Sequence, residues 1–226
     1  MNQFERLELL LGHEKLEKIF NTTVLVIGLG GVGSYAVEAL VRSGIKKIIL
    51  VDYDKIDITN LNRQLMTNYE NIGQYKAEAL RDRIKLINKF IEVECINEFI
   101  NKDNIDSLFN KKIDYVIDAC DSVNTKKEII RKCVENKIKF ISSMGVGNKM
   151  DPSRLKIVDI RKTSYDPISK ILRKMIRDEK INAKIPVVFS DEIPIKVKEK
   201  IGSNSFVPAT AGLLCASYII NDIVKD

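Results

Sequence analysis

The stretch VLVIGLGGVGSYAVEAL, Val24 to Leu40, decides the fold class of this chain. Its apolar start predicts a buried strand, and the amphipathic pattern after the glycines predicts a helix. Gly28, Gly30 and Gly33 fit the GxGxxG spacing of a phosphate-binding turn. The first glycine permits the tight turn, the second lets backbone approach a phosphate, and the third lets the helix pack close to its strand. The turn predicts a nucleotide site, but it leaves open whether the nucleotide is a redox cofactor or a reactant.

Strand-like and helical segments alternate around this turn, which predicts an α/β fold. We expect a Rossmann-like, doubly wound and mostly parallel sheet, with an N-terminal helix over Phe4–Phe20 and a C-terminal extension. The predicted strands of the core are Thr23–Gly28, Lys47–Val51, Glu92–Ile96, Asp114–Asp118 and Lys139–Ser142. The predicted helices between and after them are Val32–Ser43, Lys76–Ile87, a short one near Asp103–Phe109, and Asn124–Asn136.

The pattern loosens after residue 150, so we divide a single domain, 1–226, into two parts. Residues 1–150 form the nucleotide-binding core, and residues 151–226 form an extension for substrate binding and dimerisation. The extension contains predicted strands at Leu155–Ile160 and Val187–Ser190, a basic helix at Ile168–Arg177, a mobile loop at about 191–205, and an apolar helix at Val207–Ile223. We expect that last helix to pack against the sheet or against another subunit.

Composition restricts the class of protein. The 226 residues are 45% apolar and 30% charged, which is typical of a globular protein with its own core. We find no continuous apolar run of membrane-span length and no cleavable signal, so we expect a cytoplasmic protein without a membrane partner. The net charge of +6 is a weak indication of a polyanionic partner, although a lysine-rich solvated surface explains it equally well.

The four cysteines, Cys95, Cys120, Cys133 and Cys215, include no CxxC pair. A structural zinc site usually draws two thiolates from such a pair, so the spacing argues against zinc. Scattered cysteines in an intracellular chain are usually small buried apolar residues.

Carboxylates and cations downstream of the glycine turn favour ATP over NAD. Asp52 follows the second strand, where we expect it to accept hydrogen bonds from ribose hydroxyls. Asp54 either joins it or caps the following loop. Arg63 and Lys76 come next. Two cations suit a triphosphate, which releases charge during the reaction, better than they suit an NAD pyrophosphate.

The segment VIDACDSVNTK, Val116 to Lys126, adds two acids at the end of the fourth strand. Ligands of open α/β sheets bind at this edge, so we expect Asp118 and Asp121 to face one cavity. Asp121 is the candidate to hold Mg²⁺ on the phosphates. The alternative for Asp121 is a helix N-cap, a role that is compatible with metal binding.

The motifs GLGGVGS, VDYD, TNLNRQ, GQYK and DACDS together resemble the adenylating superfamily that contains ubiquitin-activating enzymes and the bacterial activators of sulfur carriers. The resemblance implies a homodimer in which an N-terminal arginine reaches the partner's ATP, and FERLELLLG places Arg6 in that role. It implies catalytic roles for Arg6, Arg63, Lys76 and Asp121. The ATP contacts it implies are Gly28, Gly30, Gly31, Gly33, Asp52, Asp54, Asn60, Arg63, Gln64, Lys76, Asp121 and Ser122.

Motifs of the second half, including SSMGVGNKMDPSRLKIVDI, PVVFSDE and GSNSFVPATAGL, are similar to the tRNA threonylcarbamoyladenosine dehydratases. That resemblance implies activation of a threonyl carboxylate by ATP, followed by closure on the neighbouring carbamoyl group and overall loss of water. The chain has no cysteine between Cys133 and Cys215 to form a thioester. An intramolecular nucleophile has a high effective concentration, so none is needed.

A tRNA substrate would account for the positive net charge of the chain. Lys170, Arg173, Lys174 and Arg177 lie at helical spacing, and with the Lys196–Lys200 run they could follow a tRNA backbone or form a solvated face. The alternatives are a zinc-free adenylyltransferase for a ubiquitin-like sulfur-carrier protein and a non-catalytic nucleotide-binding scaffold. An NAD enzyme is less favoured because it has no use for Arg63, Lys76 and Asp121. The sequence leaves open a monovalent cation and a sulfur-acceptor or desulfurase partner.

Overall fold

The computed structural model describes residues 3–197 and 201–225, and in them seven strands form one sheet in the order β3-β2-β1-β4-β5-β7-β6. All neighbours are parallel except β6, which runs antiparallel to β7 at the edge. The order reverses direction between β1 and β4, as in a doubly wound fold. The strands are β1 Thr23–Ile27, β2 Lys47–Val51, β3 Glu92–Ile96, β4 Tyr115–Asp118, β5 Lys139–Ser143, β6 Leu155–Asp159 and β7 Pro186–Ser190.

Helices cover both faces of the sheet. They are α1 Glu5–Leu11, α2 His13–Phe20, α3 Gly33–Arg42, α4 Lys76–Ile87, α5 Asp106–Phe109, α6 Val123–Glu135, α7 Pro167–Asp178 and α8 Phe206–Ile223. On β1, Val24 and Val26 pack with α3, α4 and α8, while Leu25 and Ile27 pack with α6 and α7. A strand buried on both faces needs apolar residues at every position, which is why the run before the glycines does not alternate.

The prediction of a single N-terminal helix over Phe4–Phe20 was wrong. Gly12 has φ +82° and ψ 160°, a backbone conformation that residues with a side chain rarely adopt; α1 ends there and α2 begins at His13. Phe4 and Phe20 meet edge to face with ring centroids 5.2 Å apart, so the two short helices form a hairpin.

The extension is built into the same sheet as the core. Ser142 and Ser143 of β5 pair with Val187 and Val188 of β7. Helix α8 packs on α3 so closely that a Cβ on Gly212 would lie 2.2 Å from the carbonyl oxygen of Val32. Strand pairing and helix packing therefore attach the described residues of the extension to the rest of the fold.

Among the described residues, α8 is the one helix long and apolar enough to cross a membrane, judged by length and composition. Half of it is buried inside the fold, against α3 and β5, as expected of a core helix. Its small residues serve this packing, because they allow the close approach to α3.

The predicted loop at 191–205 has no helix or strand in its described residues, 191–197 and 201–205. Part of the Lys196–Lys200 run lies outside the described residues. On the far side, Gly202 exchanges two hydrogen bonds with Asn148: its amide donates to Oδ1 at 2.6 Å, and its carbonyl accepts from the Asn148 amide at 2.8 Å. This segment is therefore joined to the loop that follows β5.

Candidate active site

A cavity of about 460 Å³ opens at the carboxyl ends of the central parallel strands. It lies where the strand order reverses, and the carboxyl-end crevice at this point is where open α/β sheets bind ligands. Residues at or just after the ends of four strands line it: Ile27 of β1, Val51 of β2, Ala119 after β4 and Ser143 of β5. Its volume is within the range of ligand and cofactor sites.

The glycine turn closes one side of the cavity. Gly28 has φ +88°, and a Cβ there would lie 2.6 Å from backbone atoms of Ala119 and Cys120. Gly30 faces open space, because a Cβ there would come no closer than 3.8 Å to another atom. A Cβ on Gly33 would lie 1.8 Å from the Gly28 carbonyl oxygen. Gly28 and Gly33 are thus required by close backbone packing, and Gly30 is the position open to a ligand.

Gly31 is surrounded by protein atoms, whereas a position that only contacts phosphate would be open. A Cβ there would lie 3.0 Å from Cβ of Pro208 and 3.3 Å from Cγ of Arg63. Gly31 therefore packs between α8 and the arginine while still lining the cavity. Gly33, in contrast, is not among the lining residues, so its contribution is to hold α3 against the turn.

Asp52 lies at the end of β2 with both carboxylate oxygens held by backbone amides. Oδ2 accepts from the Leu29 amide at 2.7 Å, and Oδ1 accepts from the Asp54 amide at 2.9 Å. Burial raises the pKa of the Asp52 carboxyl, although Lys76 and these amides oppose the shift. The hydrogen bonds fix the carboxylate beside the glycine turn, which is the position needed to accept ribose hydroxyls.

Lys76 and Asp54 form an ion pair inside the cavity. Lys76 Nζ lies 2.6 Å from Asp54 Oδ2, and the lysine side chain is 7% exposed against 44% for the aspartate. An antiparallel bridge between Lys55 and Tyr75 brings the start of α4 beside the residues after β2. Asp54 is therefore the partner of the lysine, and neither predicted role, ribose ligand or loop cap, describes this contact.

Asn60, Arg63 and Gln64 line the opposite wall. Asn60 Oδ1 accepts from the Asp57 amide at 3.1 Å in a reciprocal cap that fixes the turn Ile58–Asn60. Arg63 Nη1 donates to the Thr59 carbonyl oxygen and to Asn62 Oδ1, each at 2.8 Å. These bonds fix the arginine side chain, whose Cγ lies beside Gly31.

Gln64 supplies a test of whether a ligand fits. It is 6% exposed, and its Oε1 atom is buried without a hydrogen-bond partner in the described chain. A buried polar atom left in this state is costly in free energy. The oxygen lacks a donor, and a nucleotide carries donors in its ribose hydroxyls and adenine amino group.

Asp121 also lines the cavity, in the turn between β4 and α6, where it is exposed. The alternative role of N-cap belongs instead to Ser122, whose Oγ accepts from the Thr125 amide at 3.3 Å. A single free carboxylate beside the phosphates of a nucleotide is a common way to hold Mg²⁺. The described residues contain no group of three or more His, Cys, Asp or Glu side chains that could hold a metal unaided.

The expectation that Asp118 shares the cavity with Asp121 was wrong. Asp118 is fully buried below the cavity, where Lys126 Nζ donates to its Oδ1 at 3.0 Å and Ser142 Oγ donates to its Oδ2 at 2.5 Å. Successive side chains of a strand point to opposite faces of the sheet. Asp118 and Asp121 are three residues apart with a turn between them, so their spacing does not place them on the same face.

Cys120 lies in the cavity wall, and sequence reasoning did not place it there. Its thiol donates to Asp118 Oδ1 at 3.1 Å. Burial and the adjacent Asp118 carboxylate raise the pKa of the thiol well above its ordinary value. A thiol kept protonated in this way is a poor nucleophile.

Other parts of the wall come from residues that were not predicted as site residues. Tyr53 and Phe99 meet edge to face at the mouth, with ring centroids 5.0 Å apart. Ile201, Ser203 and Pro208 reach the cavity from the C-terminal part of the chain. The signal for Tyr53 was its place beside Asp52. Ser203 and Pro208 belong to the motif GSNSFVPATAGL, but their distance along the chain from the glycine turn gave no sign that they line the same cavity.

Arg6 is exposed on α1 and is not among the residues that line this cavity. A role at the chain's own site is therefore not supported, and the predicted role at a partner's site stays a prediction. Arg63, Lys76 and Asp121 line one cavity, and of the predicted ATP contacts Gly33 alone is not in its wall.

A glycine turn, a buried aspartate and two cations at the switch point of a doubly wound sheet define a nucleotide-binding α/β protein. The chain belongs to the ThiF family, which matches residues 3–220. This membership confirms the superfamily resemblance of the motifs in the first half of the chain.

Comparison with known proteins narrows the similarity. The chain is 42% identical to the tRNA threonylcarbamoyladenosine dehydratase of Bacillus subtilis, over 100% of this chain and 96% of that protein. It is 35% identical to the Haemophilus influenzae dehydratase, over 94% and 89% of the two chains. The crystal structure of the Escherichia coli tRNA N6-threonylcarbamoyladenosine dehydratase TcdA in complex with ATP superposes with a TM-score of 0.92 at 34% identity, covering 98% and 93%.

Proposed function

We propose that this protein is an ATP-dependent tRNA-modifying enzyme that converts threonylcarbamoyladenosine next to the anticodon into its cyclic form. The observation that carries the proposal is similarity over the whole chain, extension included, to dehydratases of that activity. The cavity supports it, because the predicted ATP contacts except Gly33 line one space. A related E. coli enzyme has been crystallised with ATP and with AMP, which agrees with a reaction through an adenylate.

Each part of the site has a task in this reaction. Asp52 accepts from the ribose hydroxyls, and the backbone at Gly30 approaches the phosphates. Arg63 and Lys76 neutralise charge that develops as the threonyl carboxylate attacks the α-phosphate. When bound, Mg²⁺ would offset the charge of the leaving pyrophosphate, and Asp121 is the residue that would hold it.

Cyclisation depends on holding the two reacting groups of the nucleoside close together and needs no nucleophile from the enzyme. The activated acyl carbon and the carbamoyl nitrogen belong to the same nucleoside, so holding them together gives a high effective concentration. The nitrogen attacks the acyl carbon, AMP leaves with the electron pair of the broken bond, and the nitrogen gives up a proton. Relative to the starting nucleoside, water is lost.

We further propose that the enzyme is a cytoplasmic homodimer, with Arg6 of one subunit at the ATP of the other. What supports a dimer is α1, which has no buried residue and exposes Leu9 and Leu10 at 83% and 78%. A sulfur-acceptor or desulfurase partner and a bound monovalent cation stay predictions.

The test is nucleoside analysis of tRNA from a strain that lacks the gene, handled under mild conditions that preserve the cyclic product. We expect the linear threonylcarbamoyl nucleoside to accumulate and the wild-type gene to restore the cyclic form. Asp121→Ala should fail to restore it, with turnover of the purified variant reduced by about 100-fold or more, as for loss of one group that stabilises transition-state charge. Wild-type levels of the cyclic nucleoside in the deletion strain would refute the proposal.

A further inference from the structure

A buried lysine that the proposed chemistry does not use lies at the base of the cavity. Lys126 is 1% exposed, yet it contributes to the cavity wall. Its Nζ donates to three acceptors: Asp118 Oδ1 at 3.0 Å, Ser142 Oγ at 3.3 Å and the Ser143 carbonyl oxygen at 2.8 Å. An ammonium group has three donors, so this one is fully engaged and has none left for a ligand.

Asp118, the partner of the lysine, is held just as completely. Its Oδ1 accepts from Lys126, from the Cys120 amide at 3.3 Å and from the Cys120 thiol at 3.1 Å. Its Oδ2 accepts from Ser142 Oγ at 2.5 Å. Asp118 thus connects the end of β4 with the first residues of the β4–α6 turn.

The charges of this buried pair stabilise each other. Burial alone would lower the pKa of the Lys126 ammonium, but the Asp118 carboxylate beside it holds the pKa above the ordinary lysine value. A buried ion pair with all of its hydrogen bonds made has one defined geometry, and such networks can fix the arrangement of the chain around them.

Three segments that line the cavity meet at this pair. The β4–α6 turn, residues 119–122, carries Asp121 and directly follows Asp118. Helix α6 carries Lys126 in its first turn. The exit of β5, residues 143–147, begins at Ser143, whose carbonyl accepts from the lysine. The pair therefore fixes the position of Asp121, the carboxylate proposed to hold Mg²⁺, relative to the exit of β5.

We propose that Lys126 is a positioning residue which, through Asp118 and the end of β5, holds the β4–α6 turn so that Asp121 can bind Mg²⁺ on the phosphates of ATP. It acts through Asp121 and does not itself touch the ligand. The inference rests on the proposed function, because the role of Asp121 is assigned there. Groups that fix metal ligands from behind commonly change metal affinity or activity by about 10- to 100-fold when removed.

The experiment measures how ATP binding depends on Mg²⁺, in the full-length protein. ATP binding is followed by calorimetry over a series of Mg²⁺ concentrations, and AMP binding is followed without Mg²⁺. For Lys126→Met we expect the Mg²⁺ concentration that gives half-maximal enhancement of ATP binding to rise about tenfold, with AMP binding within about twofold of wild type. Lys127→Met is the matched control, since it removes the next cation of the same helix away from Asp118, and it should match wild type.

A variant with both charges removed, Lys126→Met with Asp118→Asn, separates positioning from stability. Breaking one side of a buried pair leaves an unpaired charge and destabilises the fold, whereas removing both charges avoids that cost. We expect the double variant to melt closer to wild type than Lys126→Met but to keep the raised Mg²⁺ requirement. A wild-type Mg²⁺ requirement in the folded double variant would overturn the proposal. Because this readout needs no tRNA, a failed positioning role and a failed dehydratase activity are distinguished.

Discussion

At the scale of single residues, the site depends on side chains that are fixed before any ligand arrives. Asp52 is held by two backbone amides, and Lys76 is held by Asp54. Such preorganisation reduces the reorganisation needed during reaction and is a large contribution to catalysis in general. The same residues that bind the nucleotide in our proposal are therefore part of the local fold.

Cys120 allows the absence of a thioester to be tested. Its thiol is protonated and donates to Asp118, so serine can replace it as a donor of similar size. We expect Cys120→Ser to retain turnover within about threefold of wild type, because no step uses a thiolate. Steady-state assays measure this. An acyl adduct on Cys120 in mass spectra of the reacting wild-type enzyme would contradict the expectation.

Asp52 predicts a pH dependence of ATP binding. Burial raises the pKa of its carboxyl, so the carboxylate is protonated at a higher pH than an ordinary aspartate, whose pKa is about 3.9. The neutral acid accepts hydroxyl hydrogen bonds poorly, and affinity should fall as pH decreases toward the raised pKa.

We compare the ATP affinity of wild type and Asp52→Asn from about pH 8 down to the ordinary aspartate value of about 3.9. The difference between the two proteins isolates this group from the titration of the phosphates. The advantage of the wild type should be largest at the higher pH and shrink on acidification. An advantage that is independent of pH would show that Asp52 does not accept from the nucleotide as an anion.

At the scale of elements, α7 joins the cavity to the surface. Ile168 near its start lines the cavity, while Leu172, Met175 and Ile176 pack into the core. Of the four basic residues at helical spacing, Lys170, Lys174 and Arg177 are exposed. Arg173 turns toward the fold, where it donates to the Thr163 carbonyl oxygen at 3.0 Å, and Arg177 lies 3.5 Å from Asp178. Arg173 is therefore the least available of the four for a tRNA phosphate, and among the exposed three Lys170 and Lys174 carry no ion pair in the described chain.

Replacing both lysines should weaken tRNA binding without changing ATP binding. Each lysine that contacts a phosphate adds about one unit to the slope of log affinity against log salt, so Lys170→Gln with Lys174→Gln should reduce that slope by about 2. Filter binding or fluorescence anisotropy over a salt series measures it.

The matched control is Lys85→Gln with Lys89→Gln, an exposed pair with the same spacing at the end of α4 and just after it. That pair lies toward the amino end of β3, on the side of the sheet away from the cavity. If both double variants lower tRNA affinity equally, the basic charge acts without a defined surface and α7 is not a docking element.

At the scale of the whole molecule, the site is incomplete in the single chain if Arg6 has the role that the family resemblance implies. Arg6 sits on α1, a helix that exposes Leu9 and Leu10 and has no buried residue. Exposed leucines on neighbouring positions are expected where a second subunit covers them.

Mixing two inactive variants tests the assembly. In a heterodimer of an Arg6→Ala subunit with an Asp121→Ala subunit, one site has Asp121 and receives Arg6 from the partner, and the other site has neither. We expect each heterodimer to regain about the activity of one wild-type site, measured after purification with two different affinity tags. This expectation follows from separate residues completing one site across an interface. Heterodimers that stay inactive would show that Arg6 does not act across the dimer.

The sequence by itself determined the doubly wound sheet, the nucleotide turn, and the placing of Arg63, Lys76 and Asp121 around one cavity. These features are local: glycine spacing fixes a backbone turn, and the alternation of strand and helix brings every βα loop to the same edge. Helices such as Lys76–Ile87 and strands such as Glu92–Ile96 were predicted with their observed bounds, because each has a clear period between breakers.

Tertiary structure alone decided which polar groups are ligands and which are partners of other residues. Asp118 and Asp121 look equivalent in the sequence, but one is buried against Lys126 and the other lines the cavity. Asp54 pairs with Lys76, and Ile201 and Pro208 reach the site from about 170 residues beyond the turn. The spacing of polar residues along the chain does not determine which of them is buried or which distant residues they contact, since both depend on how separate elements pack together.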